Sequence, residues 1–166
     1  MSGQEDGADL VEEDLEEQAD AVADFIEELL DRMGIDAIAE PSTHAGHVYV
    51  DILEGPEDDM ALLIGRHGQT LEAIQELART SVGRRLDQRI RVVVDVGDYR
   101  KRQDDRLIEQ AHEVAERVAS TGSEEALEPM NPYQRKLVHD AVAEIDGVES
   151  VSEGADPERY VVIRPA

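Results

Sequence analysis

The chain has 166 residues and a formal charge of −24, with 40 Asp and Glu against 16 Lys and Arg. That length holds one domain or two small ones, and the absence of cysteine excludes a disulfide framework or a thiolate metal site. No apolar run reaches the length of a membrane span, and the N-terminus has neither the basic nor the apolar region of a secretory signal, so a cytoplasmic protein with no stable membrane insertion is expected.

Residues 1–30 carry twelve Asp or Glu and no Lys or Arg. Residues 1–16 read as a disordered acidic tail, either solvated or an electrostatic mimic of RNA that competes for the chain's own basic face. From Glu17 the pattern turns helical. Val22, Phe25, Ile26, Leu29, Leu30 and Met33 follow three-and-four spacing, and Gly34 is a good stop. Asp36 to Glu40 is a weak strand. His47 to Leu53 is a better one, with Val48, Val50 and Ile52 alternating against His47, Tyr49 and Asp51. Pro41 to Gly46 joins the two as a hairpin loop. Gly55-Pro56 breaks the chain, and Asp59 caps a short helix to Ile64. Leu71, Ile74, Leu77, Ala78 and Val82 then stripe a helix that starts near Gln69, and Ile90 to Val96 is a strand. The order to this point is α-β-β-α-α-β.

A long helix follows over Tyr99 to Ser120, with Leu107, Ile108, Ala111, Val114, Ala115 and Val118 as its buried stripe. An extended piece, Ala126 to Met130, leads into Asn131-Pro132, a strong helix start. That helix carries Leu137, Val138, Ala141, Val142 and Ile145. Val148 to Ser152 and Arg159 to Arg164 close the chain as strands.

The feature that points to a ligand is Gly65-Arg66-His67-Gly68, set between an apolar run, Ala61 to Ile64, and the helix from Gln69. The glycines let the backbone approach a phosphate closely, and the helix start offers N–H groups and partial positive charge. A second constellation is Arg135 with His139, four apart on one side of a helix and flanking its apolar stripe. Half-buried there, they keep their tips at solvent; the plainer reading is a purely local structural pair. Arg84 to Arg102 holds Arg84, Arg85, Arg89, Arg91, Arg100, Lys101 and Arg102 against Asp87, Asp95 and Asp98. These form either surface salt bridges or a positive track joining two modules, with Arg100, Lys101 and Arg102 on a nucleic acid. Catalysis finds no support. His44 and His47 flank the hairpin without a third ligand, a phosphate-binding P-loop is absent, and no catalytic residue, metal or cofactor is expected.

The α-β-β-α-α-β order with its Gly-x-x-Gly loop resembles the type II KH domain over residues 17–97. That resemblance implies a clamp on about four nucleotides of single-stranded nucleic acid, with Gly65, Arg66, His67, Gly68 and Gln69 at the backbone. Arg135-Lys136-Leu137-Val138-His139, entered through Glu128 to Tyr133, resembles the R-3-H domain over residues 98–166. KH followed by R-3-H is similar to the bacterial Jag (SpoIIIJ-associated) family, in a short form that has the acidic tail in place of an N-terminal Jag domain. The expected fold class is α+β, a KH domain followed by a small α/β R-3-H domain. The resemblance implies a single-stranded RNA-binding protein, an RNA chaperone or post-transcriptional regulator linked to cell elongation and envelope growth. It also implies a small single-KH protein as partner. The alternatives are a protein-interaction adaptor for envelope biogenesis or a single-stranded DNA binder.

Overall fold

The computed structural model describes the backbone of residues 5–166 and the side chains from residue 12 onward. The chain divides into two compact units, residues 1–99 and 100–166. No helix among the described residues is long and apolar enough to cross a membrane.

The first unit has the element order expected. Helix α1 (Glu5–Met33) is followed by strands β1 (Ile38–His44) and β2 (His47–Leu53), helix α2 (Glu57–Ile64), a 3-10 turn (Arg66–Gly68), helix α3 (Gln69–Leu86) and strand β3 (Val92–Val96). The sheet order is β1-β2-β3, with β1 antiparallel and β3 parallel to β2. Alternation puts Val48, Val50 and Ile52 of β2 and Val92, Val94 and Val96 of β3 on one buried face. Val22, Ile26 and Leu30 of α1 and Leu71, Ile74, Ala78 and Val82 of α3 complete the core. Gln75 ties α3 to the sheet, its Oε1 accepting from the Val94 N–H at 3.0 Å.

Several boundaries differ from expectation. Helix α1 begins at Glu5, so most of the expected tail is drawn as helix; residues 1–4 of it lie outside the described residues. Carboxylates are favourable in the first turns of a helix, and Leu15 packs against the core, which extends the apolar face upstream of Glu17. Strand β1 runs through Pro41 to His44, leaving only Ala45-Gly46 as the turn. Pro41 is tolerated because β1 is an edge strand, and both turn residues take positive φ (50° and 75°), as two-residue hairpins require. Helix α2 starts at Glu57 behind Pro56, not at Asp59, and no side chain caps it. Met33 and Leu77, read as members of buried stripes, are exposed at 43% and 54%.

In the second unit, helix α4 (Tyr99–Thr121) leads to strand β4 (Glu125–Ala126), helix α5 (Pro132–Val142) and strands β5 (Val148–Glu153) and β6 (Tyr160–Pro165). The antiparallel sheet has the order β4-β6-β5. Ala111, Val114, Ala115 and Val118 of α4 share a core with Val138, Ala141 and Val142 of α5 and Val161 and Ile163 of β6. A reciprocal cap starts α5: Asn131 Oδ1 accepts from the Gln134 N–H at 2.9 Å, and Gln134 Oε1 accepts from the Asn131 N–H at 3.1 Å.

Candidate nucleic-acid interface

The loop between α2 and α3 has a glycine with positive φ at each end. Gly65 sits at φ 71°, ψ −174°, a region essentially closed to other residues. A Cβ there would stand 2.1 Å from Thr70 Oγ1 and 3.0 Å from the Thr70 backbone nitrogen. Gly68 takes φ 74°, ψ 13°, and a Cβ there would meet the Tyr99 ring at 3.0 Å. Between them, Arg66 and His67 are exposed, His67 with φ 54°. Upstream only Leu63 of the apolar run is buried, and Leu62 is 57% exposed.

Gly68 is also the N-cap of α3, and no side chain caps that end. The Gln69 N–H donates to the Arg66 carbonyl, and no side chain caps the N–H groups that follow it; the positive end of the helix adds to them. Glu72 is the one acidic residue of that first turn. Gly65, Arg66, His67, Gly68 and Gln69 are thus brought together as a bare backbone turn with a cation and an imidazole at its crest. Arg100 and Lys101 lie in the first turn of α4, Arg100 half-buried and Lys101 exposed, in the second unit.

Arg135 and His139 have separate sets of hydrogen-bond partners inside the second unit. Arg135 is buried, not half-buried with its tip at solvent: Nη1 donates to the Met130 carbonyl and to Asp156 Oδ1, both at 2.7 Å. The ring nitrogens of His139 meet two serine hydroxyls, Nδ1 with Ser150 Oγ at 2.6 Å and Nε2 with Ser152 Oγ at 2.8 Å. In a neutral ring one nitrogen donates and the other accepts, which suits a pair of hydroxyls. Burial holds the His139 pKa below the ordinary 6.5, opposed by Asp140 and aided by the positive charges of Arg135 and Arg159. Arg159 has its Nε buried with no hydrogen-bond partner among the described residues.

Partners of the predicted residues were invisible as local patterns. Thr70 and Tyr99 wall the glycines, and Met130 and Asp156 hold Arg135. Ser150 and Ser152 carry a readable signal, since residues two apart on a strand share a face. His44 and His47 pair across the hairpin, and no cluster of three metal-ligating side chains exists among the described residues.

Residues 19–96 match the KH domain of the KhpA/KhpB family, and residues 105–165 match the R-3-H domain. The chain is 36% identical over 146 residues to the RNA-binding protein KhpB of Clostridium symbiosum, covering 87% of this chain and 64% of that one. It is 34% identical over 143 residues to KhpB of Lactiplantibacillus plantarum and 30% identical over 150 residues to KhpB of Streptococcus pneumoniae. Those matches cover 86% and 90% of this chain, but 44% and 45% of the relatives. The chain therefore spans roughly half to two thirds of these relatives' lengths. With both domains matched in the same order, and the two units folded as an α-β-β-α-α-β domain and a small helix-and-sheet domain, the chain belongs to the KhpB (Jag) family.

Proposed function

We propose that the chain binds single-stranded RNA, gripping its backbone at Gly65-Arg66-His67-Gly68-Gln69. The carrying observation is the geometry of that loop: Gly65 in a conformation closed to other residues, Gly68 left-handed against the Tyr99 ring, a helix start without a side-chain cap, and Arg66 and His67 exposed between them. Phosphate contacts of this kind position a strand without reading its sequence. Arg135 and His139 mark a second contact. Arg135 holds the Met130 and Asp156 segments in place, and His139 holds the Ser150 and Ser152 hydroxyls of β5. Arg100 and Lys101 add positive charge at the start of α4. The relatives are named RNA-binding proteins, which supports RNA over a purely protein ligand.

Replacing Arg66 and His67 together by aspartate tests the reading. Repulsion at the loop abolishes RNA binding while the fold, read by circular dichroism and melting temperature, is kept. Unchanged affinity in that folded variant removes the loop from the RNA site. As the family resemblance implies, we assign the cellular role to an RNA chaperone or post-transcriptional regulator in the cytoplasm that serves cell elongation and envelope growth, with a small single-KH protein as partner. Crosslinking in cells with sequencing of bound RNA, together with co-purification of a single-KH protein, tests this role. Recovery of proteins without RNA favours the adaptor reading.

A further inference from the structure

The first unit carries a second cluster of positive charge that no contact within the described residues explains. Carboxylates outnumber Lys and Arg 40 to 16, and many cations are accordingly tied. Arg32 pairs with Glu28, Arg79 with Glu76, Arg117 with Glu125 and Arg164 with Glu149. Arg84, Arg85, Arg89 and Arg91 are exposed, and none forms an ion pair with a described residue. Of the two readings open for these four, the salt-bridge reading therefore fails. Arg84 and Arg85 stand in the last turn of α3, where a cation offsets the partial negative charge of the helix end. That duty does not extend to Arg89 and Arg91, which lie beyond the helix on the approach to β3.

An open cleft of about 470 Å³ lies at the same place, lined by Arg84 and Arg89 with Thr80, Gly83 and Gln88. Arg79, engaged by Glu76, also borders it. Among the described residues, Asp87 is the only carboxylate of the lining. Gln88 is steadied by α1, its Oε1 accepting from Gln18 Nε2 at 2.8 Å, which leaves its own amide N–H groups as donors. The Thr80 hydroxyl is turned to Glu76 Oε1 at 3.3 Å, so the chemistry that fits two guanidinium groups unpaired among the described residues, beside an amide donor, is a phosphate.

We propose that this cleft is a second backbone-binding point for single-stranded RNA, an inference that rests on the RNA-binding reading of the Gly-x-x-Gly loop. The loop lies at the N-terminal end of α3 and the cleft at its C-terminal end. At about 1.5 Å per residue, the 18 residues of α3 separate them by about 27 Å. A strand of about four nucleotides, held at the loop, covers only part of that distance. A longer strand following α3 reaches the cleft, so Arg84 and Arg89 act only on RNA longer than the loop alone holds.

Length dependence makes the test specific. Fluorescence anisotropy with labelled oligouridylates of about four and about fifteen nucleotides compares the full chain with Arg84→Gln/Arg89→Gln and with Arg66→Asp/His67→Asp. The expected result for the cleft variant is about tenfold weaker binding of the long oligomer. Its slope of log affinity against log salt becomes shallower by about 1.4, two contacts at about 0.7 each for a single strand. Binding of the short oligomer is unchanged, and an unaltered melting temperature confirms the fold. The loop variant loses both lengths. Unchanged affinity and slope for the long oligomer overturns the cleft while leaving the loop reading intact. Equal loss at both lengths also overturns it, since a diffuse field and not a contact would then be acting. A wild-type chain that binds neither oligomer at low salt removes the RNA reading itself. A polyglutamate peptide bound by the wild type and lost in the cleft variant, with RNA unaffected, would replace RNA by an acidic protein segment.

Discussion

Replacing Gly65 by alanine is the sharpest probe of the loop's architecture. Two costs combine. The backbone at φ 71°, ψ −174° is strained for any residue with a Cβ, at about 1–3 kcal/mol. The new methyl would also stand 2.1 Å from Thr70 Oγ1, 2.8 Å from Thr70 Cβ and 3.0 Å from the Thr70 nitrogen. Moving the hydroxyl relieves the first of these contacts, but the other two involve atoms fixed by α3, so overpacking adds about 1–3 kcal/mol. A total near 4 kcal/mol is expected. Gly46→Ala is the control: its φ is 75°, nothing lies within 4 Å of the added carbon, and left-handed strain alone costs about 1–2 kcal/mol. Urea unfolding of the two variants, followed by circular dichroism, measures the difference. Thr70→Ala in the Gly65→Ala background returns only the part due to the hydroxyl. Gly65→Ala costing no more than Gly46→Ala would refute the crowding argument. The same reasoning explains why loss of RNA binding in a Gly65 variant does not by itself report contact, whereas the exposed Arg66 and His67 do.

Arg135→Met should destabilise the second unit by about 2 kcal/mol, since it frees the Met130 carbonyl and Asp156; Asp156 is 57% exposed and rehydrates, which keeps the loss from being larger. A loss below about 0.5 kcal/mol in urea unfolding contradicts that role. Asn131→Ala removes the side-chain arm of the α5 cap, while the backbone N–H at 131 can still donate to Gln134, and should cost about 1 kcal/mol in the same assay, against no change if the cap is ornamental. His139 has a folded pKa below 6.5, so the unfolded chain binds its proton first, and the stability it confers is present above pH 6.5 and declines as pH falls through its folded value. Wild type should therefore lose more stability than His139→Gln between neutral and mildly acidic pH, and parallel profiles exclude the effect. Burial and the carboxylates of Asp95, Asp98 and Glu40 raise the pKa of Asp51 above 3.8, so its ionised form opposes folding at neutral pH. Glu40 and Asp95 stand directly opposite it on the neighbouring strands. Asp51→Asn should stabilise the first unit by about 0.5–1 kcal/mol at low salt, with the gain shrinking as salt screens the row; a salt-independent gain argues against repulsion.

The sequence was enough to determine what depends on neighbours along the chain. Apolar spacing specified α1, α3, α4 and α5, alternation specified β2 and β3, and Asn131-Pro132 specified where α5 begins. It also determined that Gly65 to Gly68 form a special turn before a helix and that Arg135 and His139 share a helix face. Tertiary structure decided what those residues touch. Leu77 fits its helical stripe yet remains exposed, because a period says which residues share a face but not how much of that face is covered. The extension of β1 past Pro41 depends on its being an edge strand, which is a property of the sheet. Whether Arg135 reaches solvent was settled by Asp156, distant in sequence, and by the carbonyl of Met130. Arg84 and Arg89 differ from the paired arginines in that no carboxylate among the described residues pairs with them. Charge pairing acts over a few ångströms in space, and separation along the sequence does not report that distance.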